Sequence, residues 1–185
     1  KNIGNKNYLL MIGNLKSTFV IDALKQLNDK LIFELEALKK NFDFEIIIIG
    51  KFKEEKMKYK NLLNKDWIKF EGWVNNVDNY FQNSLALFVP SKHKLSVRTK
   101  ILDAFSSGLP VITYDSNNFD SALFINNENI VCAETKDDLI LGLRNILTNK
   151  LFRNYISDNS IKTYIEKINV DKTISQNIEL IKNIL

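Results

Sequence analysis

Arg98, Lys100 and Asp103 are the residues whose types and spacing suggest chemistry in this chain. They follow Ser96, which can cap a helix whose apolar face is Val97, Ile101, Leu102 and Phe105. Carboxylates rather than cations favour a helix start, because the unpaired N–H groups there already carry partial positive charge. Two extra cations at such a start suit a phosphate or diphosphate, received by backbone N–H groups and side chains together. Two solvated surface cations explain the same pattern. Asp103 is three positions from Lys100 and four from Thr99. It could pair with Lys100 as an ordinary helical ion pair or accept hydrogen bonds from ligand hydroxyls, and spacing leaves both open.

The elements that must position these residues are legible around them. Leu85 to Val89 is a short apolar run stopped by Pro90, as a buried strand would be. Gly108 and Pro110 end the helix, and Val111 to Thr113 is the next strand. Strand, helix and strand form one crossover of a parallel sheet. Ligands of such sheets bind outside the carboxyl ends of the strands, where the loop Pro90–Ser96 lies.

The rest of the chain alternates in the same way. Tyr8 to Gly13 reads as a buried strand ending in glycine, followed by a helical region from about Ser17 to Lys40 that Asn28–Asp29 could interrupt. Phe44 to Gly50 holds four consecutive isoleucines, which must be covered on both faces, as in a central parallel strand. Lys53 to Asn64 reads as a charged surface helix, Trp67 to Gly72 as a strand, and Asn76 to Asn83 as a short helix with Val77, Tyr80 and Phe81 inward. After the central unit come a loop at Asp115–Asn118, a short helix near Phe119–Ile125 and a strand near Asn129–Ala133. Thr135 can cap a helix carrying Leu139, Ile140, Leu143 and Ile146. The pattern predicts an α/β fold: a Rossmann-like doubly wound parallel sheet of about six strands, with helices on both faces. Residues 1–149 would form the α/β core and residues 150–185 a tail of two or three helices, all in one domain.

Composition narrows the function classes. A chain of 185 residues, 45% hydrophobic, can bury a substantial core. Its net charge of +4 and pI near 9.0 weakly favour anionic ligands or an anionic membrane surface. No basic tract with interleaved aromatics supports nucleic-acid binding. No apolar run is long enough to span a membrane, and no signal peptide is visible. The single Cys132 excludes a disulfide within the chain and suits a buried thiol of a cytosolic protein. One histidine, His93, and no carboxylates at ligand spacing argue against a metal site.

The run KILDAFSSGLPVIT resembles the K-x-L-E-A-x-x-x-G-x-P-V signature of family 4 glycosyltransferases, which have the GT-B fold. The resemblance covers nearly the whole chain. YLLMIGNL is similar to the family's opening strand and glycine loop, EIIIIG to its second strand, and FEGWVNNVDNYF to its F-x-G-x-V segment. LALFVPS is similar to the strand that ends in P-S, and ENIVCAETKDDLILGLRNIL to the closing segment. Each piece is degenerate alone, but these five segments beside the signature run, in the right order, form a specific signal.

That resemblance implies the C-terminal, nucleotide-diphosphate-sugar-binding half of a retaining glycosyltransferase. Its donor would be a UDP- or GDP-sugar, with no cofactor and no required metal. The family's glutamate that grips the donor ribose falls on Asp103, one methylene shorter. The diphosphate clamp would come from Lys100, Arg98 and backbone N–H groups around Leu95, Ser96 and Val97, with Thr99 and Ser91 beside them. Gly13 would let the chain approach the diphosphate, with Asn14 and Lys16 next to it. Trp73 and Val74 lie where the family holds the nucleobase, although a core aromatic is an equally good account of Trp73. No residue is assigned a catalytic role.

Departures from the pattern bear on donor-sugar identity and catalytic competence. The glutamate expected eight positions before Asp103 is Leu95, the E-G-F-G loop is K-L-S-V, and the arginine expected after the first-strand glycine is Asn14. A subset with R-x-K-x-L-E-A also lacks that glutamate, and Arg98–Lys100 fit it better. His93 could touch the donor, though a solvated loop histidine is the simpler account. The chain starts at Lys1 and carries one sheet's worth of strands. It is therefore expected to lack the parent's N-terminal acceptor domain and to be inactive alone. The parent would transfer a hexosyl group to a glycolipid or polysaccharide acceptor, in a bacterial cytoplasm, with peripheral contact at the inner membrane face. Two other classes fit the residues: a non-catalytic, degenerate transferase module used for scaffolding or regulation, and an unrelated Rossmann-like phospholigand domain. Against the second, Gly13–Leu15 lacks the G-x-G-x-x-G spacing.

Overall fold

The computed structural model describes residues 7–14, 16–51, 54–93, 99–114 and 120–168. Its elements run β1 (Tyr8–Ile12), α1 (Thr18–Gln26), α2 (Ile32–Lys39), β2 (Glu45–Ile49), α3 (Lys60–Leu63), β3 (Ile68–Gly72), α4 (Asp78–Asn83) and β4 (Ala86–Val89). They continue with α5 (Thr99–Ser106), β5 (Val111–Tyr114), β6 (Val131–Ala133), α6 (Lys136–Thr148) and α7 (Lys150–Thr163). All six strands are parallel, in the order β3-β2-β1-β4-β5-β6. The expected Rossmann-like α/β fold is therefore present.

Both faces of the sheet's central strands are buried, which is why those strands are almost wholly apolar. Leu9, Met11, Ile46, Ile48, Phe88 and Ile112 face one core, together with α1, α2 and α6. Tyr8, Leu10, Ile47, Ile49, Leu87 and Val111 face the other, covered by Phe81 of α4 and by Ile101, Ala104 and Phe105 of α5. The isoleucine run of β2 thus divides alternately between two cores.

Several local expectations are corrected. The long helical region is interrupted at Asn28–Asp29 as expected, though by a π-helical turn, Leu27–Leu31, rather than a break; the turn joins α1 to α2 and keeps Leu27 and Leu31 buried. The surface helix expected over 53–64 is instead a 3-10 segment, Glu54–Lys58, followed by the short α3. Tyr59, between them, is buried, and Asn28 anchors α3 by accepting from the Asn61 N–H. Near Phe119–Ile125 the described residues form a single turn on the Asp120 carbonyl rather than a helix. Asn129 stops its growth: its Oδ1 accepts from the Ile125 N–H and its Nδ2 donates to the Leu123 carbonyl. The last strand is shorter than expected, beginning at Val131. Thr135 does cap α6, in a reciprocal box with Asp138. Of the C-terminal tail, α7 and a π-helical segment Tyr164–Ile168 are described, and residues 169–185 lie outside the described residues.

Two glycines hold a left-handed backbone in different surroundings. Gly108, ending α5, has φ +64°, and a Cβ there would lie 2.5 Å from Ile161 Cδ1 and 3.1 Å from Ser157 Oγ. Gly72, ending β3, has φ +74° and open space around it. Gly72→Ala is expected to cost about 1–2 kcal/mol from backbone strain alone. Gly108→Ala should cost about 1–3 kcal/mol more, because the Ile161 and Ser157 side chains of α7 must also shift to admit the methyl group. Urea denaturation of the two variants checks the difference.

Candidate functional site

The strand order reverses between β1 and β4: the chain winds outward from β1 through β2 and β3, then returns to the other side of β1. A crevice opens at such a switch point, beyond the carboxyl ends of the two strands. The turn after β1 is tight. Asn14 Oδ1 accepts the Lys16 N–H at 3.0 Å, and the Asn14 carbonyl accepts the Ser17 N–H at 2.8 Å. This turn feeds α1 directly. Ser17 makes no side-chain cap, and no acidic residue stands in the first turn of α1. The helix start therefore keeps its positive end, next to the exposed Lys16.

Gly13 has a structural reason at this turn. A Cβ at Gly13 would lie 2.2 Å from Val20 Cγ2, so glycine is what lets α1 pack against the end of β1. The strand ladder continues past it, with the Gly13 N–H donating to Ile49 and the Gly50 N–H to Gly72.

Beyond β4 the chain is held by an acid that the sequence reading missed. Asp22 Oδ2 accepts from Ser91 Oγ at 2.9 Å, the Lys92 N–H at 2.7 Å and the His93 N–H at 3.1 Å. Ser91, expected among the donor contacts, is fully buried, and its hydroxyl donates to Asp22. Lys92 Nζ stands 4.7 Å from the centre of the Tyr114 ring at the end of β5. Asp22 lies one turn into α1 and its partners are about 70 residues away, so no local pattern announced the contact.

Leu95, Ser96, Val97 and Arg98 lie outside the described residues, so the predicted cap and half of the predicted clamp have no structural account. Thr99 and Lys100 open α5 and are exposed. Lys100 Nζ meets Asp103 Oδ2 at 3.2 Å, with both side chains about half exposed. The helical ion pair is thus formed, and it leaves both groups open to solvent. No acid stands in the first turn of α5.

Trp73 follows β3 and is 70% exposed, which sets aside a core role. Lys51, after β2, places its Nζ 5.2 Å from the Trp73 ring centre. Val74 is half-buried against the α4–α5 core. Trp73 lies on the same carboxyl edge as Gly13 and Ser91, but at the β3 end of it. Elsewhere a hollow of about 340 Å³ lies against β6 and α6, lined by Asn126, Asn127, Glu134 and Asp138, away from the crevice. Among the described residues no cluster of His, Cys, Asp and Glu could hold a metal ion, and no helix is long and apolar enough to cross a membrane.

A six-stranded parallel sheet in this order, with the start of α1 left without a side-chain cap at its switch point, defines a Rossmann-like domain. Residues 6–149 match the family described as glycosyl transferases group 1, and the chain belongs to that family. No curated protein sequence matches it. Among solved structures it is similar to WaaG, a glycosyltransferase involved in lipopolysaccharide biosynthesis, with TM-score 0.68 and 20% identity, over 89% of this chain and 44% of that one. It is also similar to HepE of Anabaena, solved with UDP and glucose, with TM-score 0.71 and 14% identity, over 97% of this chain and 49% of that one. The C-terminal domain of the group 1 protein LpcC from Francisella tularensis gives TM-score 0.64 and 16% identity, over 89% of this chain and 88% of that one. The chain therefore spans less than half the length of WaaG and HepE, and most of the isolated LpcC domain.

Two outcomes follow from this geometry. Lys100→Ala and Asp103→Ala should each change stability by less than about 1 kcal/mol in urea melts, because an exposed helical pair contributes little. Burial, reinforced by Glu34, Asp137 and Asp22, pushes the Tyr114 hydroxyl up to about 12; burial and Tyr80 do the same for Tyr8. A raised folded value means that the associated stability is fully present below pH 10.0 and is lost as pH rises towards about 12. Phenolate absorbance followed alongside alkaline unfolding checks this.

Proposed function

We propose that this chain is the C-terminal, donor-binding domain of a retaining glycosyltransferase that transfers a hexosyl group from a nucleotide diphosphate sugar. The observation that carries this reading is the β1/β4 switch point of a group 1 glycosyltransferase chain, with helix starts free of acidic residues and Lys16 and Lys100 beside them. The donor's diphosphate would sit against the start of α1 and be met by Lys100 from α5. Asp103 would exchange its partner Lys100 for the ribose hydroxyls, which its exposure allows. Trp73 is available to a nucleobase, being exposed on the same sheet edge. UDP is the first nucleotide to test, since HepE was solved with it.

Chemically, such a site acts on the leaving group. Breaking the glycosidic bond leaves negative charge on the diphosphate, and preorganised N–H dipoles and an ammonium stabilise it as it develops. Acceptor binding requires a second surface, because transfer needs donor and acceptor held together away from water. That surface would come from an N-terminal domain of the parent, acting on a glycolipid or polysaccharide precursor at the cytoplasmic membrane face.

Calorimetric and thermal-shift titration with UDP, GDP and ADP tests the reading. One nucleotide should bind, and at one hundred times its Kd it should stabilise the chain by about 2.7 kcal/mol. Lys100→Ala and Asp103→Ala should each weaken that binding by about tenfold or more, the worth of a hydrogen bond to a charged group. Binding that ignores both substitutions removes these residues from the site. A chain that binds no nucleotide at millimolar concentration, alone or joined to its N-terminal partner domain, favours the degenerate module, the reading that Leu95 and Asn14 support.

A further inference from the structure

We propose that Asp22 is a positioning residue of the donor site, a clasp that sets the loop after β4 against α1 before any ligand arrives. The proposal rests on the donor-site reading above. Its basis is the concentration of donors on one atom: Ser91 Oγ, the Lys92 N–H and the His93 N–H all point at Asp22 Oδ2, at 2.9, 2.7 and 3.1 Å. Ser91 Oγ also accepts the His93 N–H at 3.1 Å, which closes the small network. On the other oxygen, Oδ1 accepts a long contact from Gln26 Nε2 of the same helix, at 3.5 Å.

Hydrogen bonds to an ionised acceptor are shorter and stronger than neutral ones. Here they join two parts of the chain that meet only across the switch point. One is the helix that follows β1; the other is the backbone leaving β4 towards α5. Asp22 therefore sets how the start of α1 stands against the backbone of Ser91, Lys92 and His93 as it leaves β4. The clasp has a second anchor in Lys92, whose ammonium lies over the Tyr114 ring. A loop already ordered in this way loses less freedom when a ligand binds, so its affinity is higher. Asp22 acts through Ser91, Lys92 and His93 and need not touch the donor.

The test uses the 185-residue chain with UDP, GDP and ADP as probes, and reads amide hydrogen exchange at Lys92 and His93 together with nucleotide affinity. In the wild type both amides should be protected. In Asp22→Ala both should exchange at least tenfold faster, and the affinity for the nucleotide that binds should fall at least tenfold, with cooperative melting retained. Asp22→Asn, which keeps one acceptor oxygen, should lie between, a graded rescue that a general loss of packing would not give. Should Asp22→Ala fail to fold, Asp22→Asn and Ser91→Ala carry the same comparison. Unchanged exchange at Lys92 and His93 overturns the proposal, as does faster exchange with unchanged affinity. A wild type that binds none of the three nucleotides, alone or joined to its N-terminal partner domain, overturns it through the donor-site reading, and protected wild-type amides would then show that the reading failed rather than the clasp.

Discussion

A parallel sheet must be covered on both faces, and the rest of this molecule depends on that constraint. No backbone polar group of a central strand can reach water, so each is paired in the ladder, and the side chains on both sides must be apolar. Ile46 to Ile49 meet this requirement by dividing between two cores. Once α1, α2 and α6 cover one face and α4 and α5 the other, the places left for polar chemistry are the ends of the strands. At the carboxyl end, the helices that leave the strands point their positive starts towards the crevice.

The crevice is organised by what is missing as much as by what is present. Neither α1 nor α5 has an acid in its first turn, whereas α6, at the far edge, opens with Asp137 and Asp138 and a complete capping box. A helix satisfied by its own side chains offers nothing to an anion. The start of α1, with no side-chain cap, retains that capacity, and the exposed Lys16 adds to it. The nearest acid on α1, Asp22, lies a turn deeper, where three donors meet its charge.

Much of this could be read along the chain. The strands, α5, its glycine stop and the cap at Thr135 rest on local rules, in which neighbours a few residues apart decide the outcome. The readings that failed met a side-chain partner that apolar periodicity does not show. Tyr59 turns inward and Asn61 bonds to Asn28, so the expected surface helix divides. Asn129 takes the polar groups that a helix before it would have used. At the site, Lys100 and Asp103 could be found from spacing, but their pairing could not. Trp73 fitted a core aromatic and a nucleobase contact equally well, and its exposure sets the core aside.

The sequence by itself determined the α/β class, the parallel strands and the segment that carries Lys100 and Asp103, because apolar periodicity and turn residues act over a few positions. Strand order, the switch point between β1 and β4 and the clasp of Asp22 on Ser91, Lys92 and His93 were decided only by the tertiary structure. The clasp alone joins residues 71 positions apart. A carboxylate's preference for backbone N–H donors is general, and only the folded chain specifies which donors it finds.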